Sequence, residues 1–349
     1  MFSLLKDLLK SRRLPPLCDR AQMLDVLQRE EYGFLPPPPD AVTFAAEDIP
    51  GVTNFCAGKA TLEKVTATCT LGDKVFAFPF YATLPTDERP HPFFIHINFR
   101  PDVPDRYMPT EELVDNGFAV LSFCYKDVTS DDGDFTDGLA GVLYPNGVRG
   151  DTDAGKIAMW AWAAHRVMDY AQTRGDVLRL DAGVVCGHSR LGKTALFTAA
   201  TDERFAFAHS NNSGCGGAAL ARENTGERVK DICRTFPFWF CRNYAKYADN
   251  EGALPFDQHF LVASVAPRRV MIASAAEDAW ADPVSEFLGC VAAGEAFAGG
   301  FVCDDRLPQV GDACLDGDIG YHLRAGLHYF SRADWLRLMT FVKKHIETE

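Results

Sequence analysis

An apolar run, Ala182-Gly183-Val184-Val185-Cys186, leads into Gly187-His188-Ser189-Arg190-Leu191-Gly192-Lys193 and on into Thr194-Ala195-Leu196-Phe197-Thr198-Ala199-Ala200. The first stretch reads as a buried strand and the last as a helix. Only a sharp turn joins the two in so few residues. Such a turn needs small residues beside it, and Gly187 and Gly192 supply them. Ser189 is then lifted out of the backbone at the start of a helix, where unpaired amide groups favour negative charge. A strand–turn–helix of this kind belongs in an α/β architecture, so the rest of the chain should alternate in the same way.

It does. Lys64–Leu71 and Val75–Leu84 are alternating β-type runs around Gly72-Asp73, a hairpin pattern. His91–Asn98 and Gly117–Tyr125 read as buried strands, with a helix at Pro109–Asn116 between them. Ile157–Ala171 is helical, with Ile157, Trp160, Ala161, Ala164, Val167 and Met168 on one face. Phe205–Ser210, Arg269–Ala275 and Ile319–Leu327 read as further strands, and Arg332–His345 as a closing amphipathic helix. This order predicts a three-layer sandwich, a mostly parallel central sheet between helices. Residues 211–268 carry no strand signal and are expected to form helical cap segments over the sheet's C-terminal edge, where ligands bind in such folds. Met1–Arg13 reads as a short amphipathic helix, and Leu35-Pro36-Pro37-Pro38-Pro39-Asp40 as a stiff connector. The expectation is one domain over 1–349, with 1–40 as an N-terminal extension packed on it.

Of the 349 residues, 47% are hydrophobic and 24% charged, a balance typical of a globular enzyme. A net charge of −13 argues against a nucleic-acid partner, which would need a basic face. No run of 18 apolar residues is present, so no membrane span is expected. Lys6 and Asp7 interrupt the apolar residues of the N-terminus, so no secretory signal is read there, and the 11 cysteines show no CxxC pair. Together these give a cytoplasmic expectation. The loop Ser130-Asp131-Asp132-Gly133-Asp134-Phe135-Thr136-Asp137-Gly138 lacks EF-hand spacing and its closing glutamate, so no metal and no cofactor is expected.

A serine raised on such a turn is the nucleophile elbow of serine hydrolases, and it needs a base and an orienting acid. In α/β hydrolases the chain order is serine, acid, histidine. His328 follows the last strand and precedes the final helix, so it is the base candidate. Asp278 is the favoured acid after the strand 269–275, with Glu277 and Asp282 as alternatives. Arg190 offers a backbone N–H and a guanidinium to an oxyanion. Lys193 lies one helical turn beyond Ser189 and reaches the mouth of the site. Gln258 and His259 are candidates for lining the cleft.

These residues resemble the glucuronoyl esterase family of carbohydrate esterases, particularly its bacterial members. The family's elbow reads Gly-Cys-Ser-Arg-x-Gly-Lys, and here only His188 departs from it. Ser213-Gly214-Cys215-Gly216-Gly217-Ala218-Ala219, Gly226-Glu227, Asp278-x-Trp280 and Gly326-x-His328 also match its pattern. The resemblance is convincing over roughly 150–345. It implies a metal-free α/β hydrolase that cleaves esters of 4-O-methyl-glucuronate, with Lys193, Glu227 and Trp280 contacting the sugar. One position departs: many members carry the catalytic Glu where this chain has Asn212, which leaves Asp278 as the acid. An acetylxylan-type acetyl esterase and a catalytically silent binding protein are the alternatives.

Overall fold

The computed structural model describes residues 4–346. Ten strands form one sheet: β1 (Ala41–Asp48), β2 (Ala60–Leu71), β3 (Lys74–Pro85), β4 (His91–Asn98), β5 (Ala119–Cys124), β6 (Leu178–His188), β7 (Phe207–Asn211), β8 (Arg269–Ala275), β9 (Ala313–Cys314) and β10 (Ile319–Arg324). Their order is β1-β2-β3-β5-β4-β6-β7-β8-β10-β9. The central six, from β5 to β10, run parallel, and β1–β3 and β9 are antiparallel additions at the edges. The sheet therefore has the expected mostly parallel centre and N-terminal hairpin.

The helices are α1 (Leu4–Arg12), α2 (Arg20–Leu27), α3 (Thr110–Asp115), α4 (Gly138–Leu143), α5 (Lys156–Gln172), α6 (Arg190–Thr201), α7 (Val229–Thr235), α8 (His259–Ala263), α9 (Pro283–Ala293) and α10 (Arg332–Ile346). Alternation along the strands makes two cores. Phe93, Ile95 and Ile97 of β4 join the core that holds α5 and α6, while Phe94 joins the one that holds Leu113 of α3 and Trp335, Leu338 and Phe341 of α10. Because both faces are covered, β4 to β8 are buried along most of their length.

Residues 211–268 contain shorter helices than expected. Only α7, α8 and brief 3₁₀ turns at Arg242–Tyr247 and Glu251–Ala253 occur there. Side chains satisfy the backbone instead: Asp257 accepts from the amides of Ala221 (2.7 Å) and Arg222 (3.2 Å), and Arg222 donates to the carbonyls of Phe256 and Leu254. The N-terminal helix spans Leu4–Arg12, and Met1–Ser3 of its expected range lie outside the described residues. Arg12 donates to Arg222 O (2.8 Å) and Ser285 Oγ (2.9 Å). Beyond α2 a π-turn, Gln28–Tyr32, carries Glu31 and Tyr32 into full burial. No helix among the described residues is long and apolar enough to cross a membrane.

Candidate active site

Ser189 stands between β6 and α6 at φ 58° and ψ −128°, a region that residues other than glycine rarely enter. The strain is held by its neighbours. Its amide donates to Asn211 O (2.8 Å), and its carbonyl accepts from Gly192 N (2.8 Å) and Lys193 N (3.1 Å). A Cβ on Gly187 would lie 2.2 Å from Leu191 O, and one on Gly192 would lie 3.2 Å from Gly187 O and 3.0 Å from Ser210 Oγ. The two glycines thus let the strand end and the first helical turn touch, which explains the spacing of the second glycine.

His328 lies in the loop after β10, which ends at Arg324 rather than running on to Leu327. Arg324 fixes that loop on both sides of the histidine, donating to Leu327 O (3.1 Å) and Tyr329 O while Asp334 holds its Nε (2.9 Å). His328 Nδ1 meets Asp278 Oδ2 at 2.5 Å, and Asn212 Nδ2 donates to the same oxygen at 2.8 Å. Burial pushes the Asp278 carboxyl up, but the bond and charge of His328 outweigh it, so its pKa lies below the ordinary value. The two rival carboxylates have other partners. Glu277 accepts from Gly326 N (2.9 Å) and so shapes the histidine's loop, and Asp282 caps α9 through Ser285 N (3.0 Å) and holds Thr225 N (2.8 Å).

Ser189, Arg190, Lys193, Asn212, Glu227, Phe236, Trp239, Trp280 and His328 line one pocket of about 190 Å³. Arg190 Nη1 is paired with Asp131, and its guanidinium lies among the rings of Trp239 (4.7 Å), Phe236 (5.4 Å) and Phe99 (5.7 Å). Lys193 does not extend to the mouth as the sequence suggested. It is 2% exposed, because α6 packs on the 213–219 segment, and its ammonium donates to Ser213 O (2.6 Å), Cys215 O (2.5 Å) and Glu227 Oε2 (3.4 Å). Trp280 is 56% exposed at the rim, so it presents an indole face to solvent rather than filling the core.

Gln258 and His259 are not in this pocket, which corrects the sequence reading. Gln258 is fully buried and donates to Glu31 Oε1 (2.9 Å); His259 bonds Pro15 O (3.0 Å). The N-terminal segment takes up Gln258 Nε2 and His259 Nε2. The acidic loop of 130–138 already encloses a cation. The Lys156 ammonium bonds Thr129 Oγ1 (2.8 Å), Ser130 Oγ (3.2 Å), Asp134 O and Asp137 Oδ1 (3.4 Å). No group of metal-ligating side chains occurs among the described residues. A larger apolar cavity of about 370 Å³ shares Phe236 with the site and is lined by Phe135, Phe238, Phe240 and Tyr244, but contains neither the serine nor the histidine.

Sequence reasoning missed Asp131, Phe236, Trp239 and Arg324. It also gave no role to His188, whose ring lies 4.4 Å from that of His328. Burial holds the His188 pKa down at about 3, with His328 adding to the effect, so this neighbour stays neutral beside the candidate base. Asp131 had left a trace as part of the acidic loop, and His188 as the one departure from the elbow pattern.

The chain is similar to known proteins in both sequence and fold. The family described as glucuronyl esterase, fungi, matches residues 67–298. A carbohydrate esterase from an unknown prokaryotic organism is 39% identical over 68% of this chain and 55% of its own length. A 4-O-methyl-glucuronoyl methylesterase of Podospora anserina is 28% identical over 78% of this chain and 54% of its own. The chain thus spans little more than half the length of either relative. A solved glucuronoyl esterase from Solibacter usitatus superposes with a TM-score of 0.84 at 30% identity, covering 93% of this chain and 91% of that one. With most of its sheet inside the matched region, which covers well over half of its length, this chain belongs to the glucuronyl esterase family.

Proposed function

We propose that the protein is a serine carboxylic-ester hydrolase that cleaves a 4-O-methyl-glucuronoyl ester of a carbohydrate. The observation that carries this reading is the 2.5 Å contact of Asp278 with His328 in the pocket that also holds the strained Ser189. Asp278 holds Nδ1–H, which leaves Nε2 of His328 as the base. His328 takes the proton of Ser189, and Oγ attacks the ester carbonyl. The resulting oxyanion meets the N-terminus of α6 and Arg190. His328 then passes the proton to the leaving alcohol, and water repeats the sequence on the acyl-enzyme.

Trp280 and Glu227 favour a uronate over a simple acetate. An exposed indole suits a sugar face, and Glu227 accepts from hydroxyls. Lys193 supports the uronate contacts indirectly, by holding Glu227 and the 213–215 carbonyls. Eleven free thiols support the cytoplasmic setting expected from the sequence.

The test is hydrolysis of benzyl glucuronate beside 4-nitrophenyl acetate, with Ser189→Ala as control. A higher kcat/KM for the uronate ester is the expected result. Cleavage of the acetate alone would assign the site to a small-acyl esterase.

A further inference from the structure

Asp131 lies in the acidic loop after β5, but its carboxylate does not join the shell around Lys156. It bonds three other side chains. Oδ2 accepts from Tyr125 OH (2.8 Å) and pairs with Arg190 Nη1, and Oδ1 accepts from Trp239 Nε1 (2.8 Å). Its side chain is 7% exposed. A carboxylate so enclosed is costly unless its oxygens are satisfied, and here three donors, one of them cationic, satisfy both.

The same contacts fix Arg190. Nη1 is held by Asp131, and Nε is buried with no acceptor. The side chain is 24% exposed in all, so Nη2 is the nitrogen left open to the pocket. Three aromatic rings restrict the guanidinium plane, and one of them, Trp239, is itself bonded to Asp131. A long arginine side chain normally loses rotamer freedom when it is ordered. Here that ordering is complete before substrate arrives, which is what makes a charged donor effective toward a developing oxyanion.

We propose that Asp131 is a positioning residue that holds the Arg190 guanidinium against the Ser189 pocket, so that Nη2 meets the oxygen that becomes negative. The proposal rests on the serine-esterase reading above. It gives the acidic loop a function in catalysis without a metal. Lys156 neutralises and braces the neighbouring carboxylates, which lets the loop present Asp131 to Arg190.

The test is a double-mutant cycle of Asp131→Asn and Arg190→Ala. The readout is the second-order rate of Ser189 labelling by a 4-nitrophenyl phosphonate, and kcat and KM for 4-nitrophenyl acetate are read alongside. The phosphonate also develops a negative oxygen at Ser189 but needs no uronate. Arg190→Ala is expected to slow labelling roughly 100-fold, the order seen when one oxyanion donor is lost. Asp131→Asn should slow it about 10-fold or more with KM for the acetate little changed, and should add less than about twofold in the Arg190→Ala background, because one variant acts through the other. Equal losses in both backgrounds, or no loss from Asp131→Asn, would overturn the proposal and leave the esterase reading intact. Failure of the native protein to be labelled would overturn both. If Asp131→Asn does not fold, Trp239→Phe, which keeps the ring and removes the N–H, is read in the same cycle by the same criteria.

Discussion

At the residue scale the site is decided by partners rather than by residue type. Glu277, Asp278 and Asp282 lie within six positions and look alike in sequence, yet only Asp278 reaches His328. Ser189→Ala and His328→Ala should each abolish turnover of whichever ester the protein cleaves, with thermal unfolding unchanged. Asp278→Asn should lower kcat about 10⁴-fold, because an amide favours the wrong tautomer of the histidine. Asp282→Asn should leave kcat near native. It removes the charge from a buried cap of α9 and from the bonds to Thr225, and should cost about 1 kcal/mol, read as a fall in Tm. A loss of kcat in Asp282→Asn larger than in Asp278→Asn would reverse the assignment. Ser189, His328 and Asp278 were legible because chain order and strand ends place them. Asp131 and Trp239 were not, because they are 108 residues apart and meet only through the fold.

At the element scale, what could be read followed from burial. Strands covered on both faces are apolar runs with clear ends, and His91–Asn98 and Arg269–Ala275 form over the residues their pattern suggests. Edge strand β1 was not seen, since its residues are exposed or half-buried and leave little hydrophobic signal. Residues 211–268 misled for the opposite reason: they are buried but held by long-range side-chain bonds, which have no period. The π-turn after α2 was invisible too, and it has a thermodynamic consequence. It places Glu31 in the core, where Oε1 accepts from Gln258 and Oε2 has no partner. Burial is the main cause that raises its pKa from 4.5 to about 8, with the hydrogen bond from Gln258 opposing. Burial likewise raises that of Glu286 to about 7. The native state therefore holds protons that the unfolded chain releases above about pH 4.5. Between about pH 4.5 and 8 the native state keeps its Glu31 proton while the unfolded chain has lost it, so this contribution to stability falls as the pH rises and is gone once Glu31 ionises in the native state, the reverse of a paired carboxylate. Buried histidines whose pKa values are held down to about 3–4 oppose this below about pH 6.5, so the effect is read as a difference: Glu31→Gln should gain Tm relative to the native protein across this range. A profile for Glu31→Gln as steep as that of the native protein would show that Glu31 is not the group responsible.

At the scale of the whole molecule, the N-terminal segment is tied to the site although it lines none of it. Tyr32 stacks on Phe197 of α6 at 4.2 Å and donates to Gly216 O at 2.7 Å. Gly216 has a positive φ of 68°, and a Cβ there would lie 2.5 Å from Phe240, so the 213–219 segment has little freedom to move away. That segment offers the carbonyls of Ser213 and Cys215 to Lys193, and Lys193 in turn holds Glu227 at the pocket wall. The contacts thus run from residue 32 to the wall through packed and hydrogen-bonded groups. We propose on this ground that residues 4–40 belong to the same cooperative unit. Tyr32→Phe removes one buried bond and should cost about 1 kcal/mol. Tyr32→Ala also opens a cavity beneath α6 and should cost roughly 3–5 kcal/mol, as large aromatic truncations do. The loss should appear in one unfolding transition followed by calorimetry, with KM for the preferred ester rising more than kcat falls, because the wall of the pocket loosens while Ser189, His328 and Asp278 stay on their own elements. A separate low-temperature transition in Tyr32→Ala, with KM unchanged, would mean that the N-terminal segment melts alone and that the pocket wall holds without it.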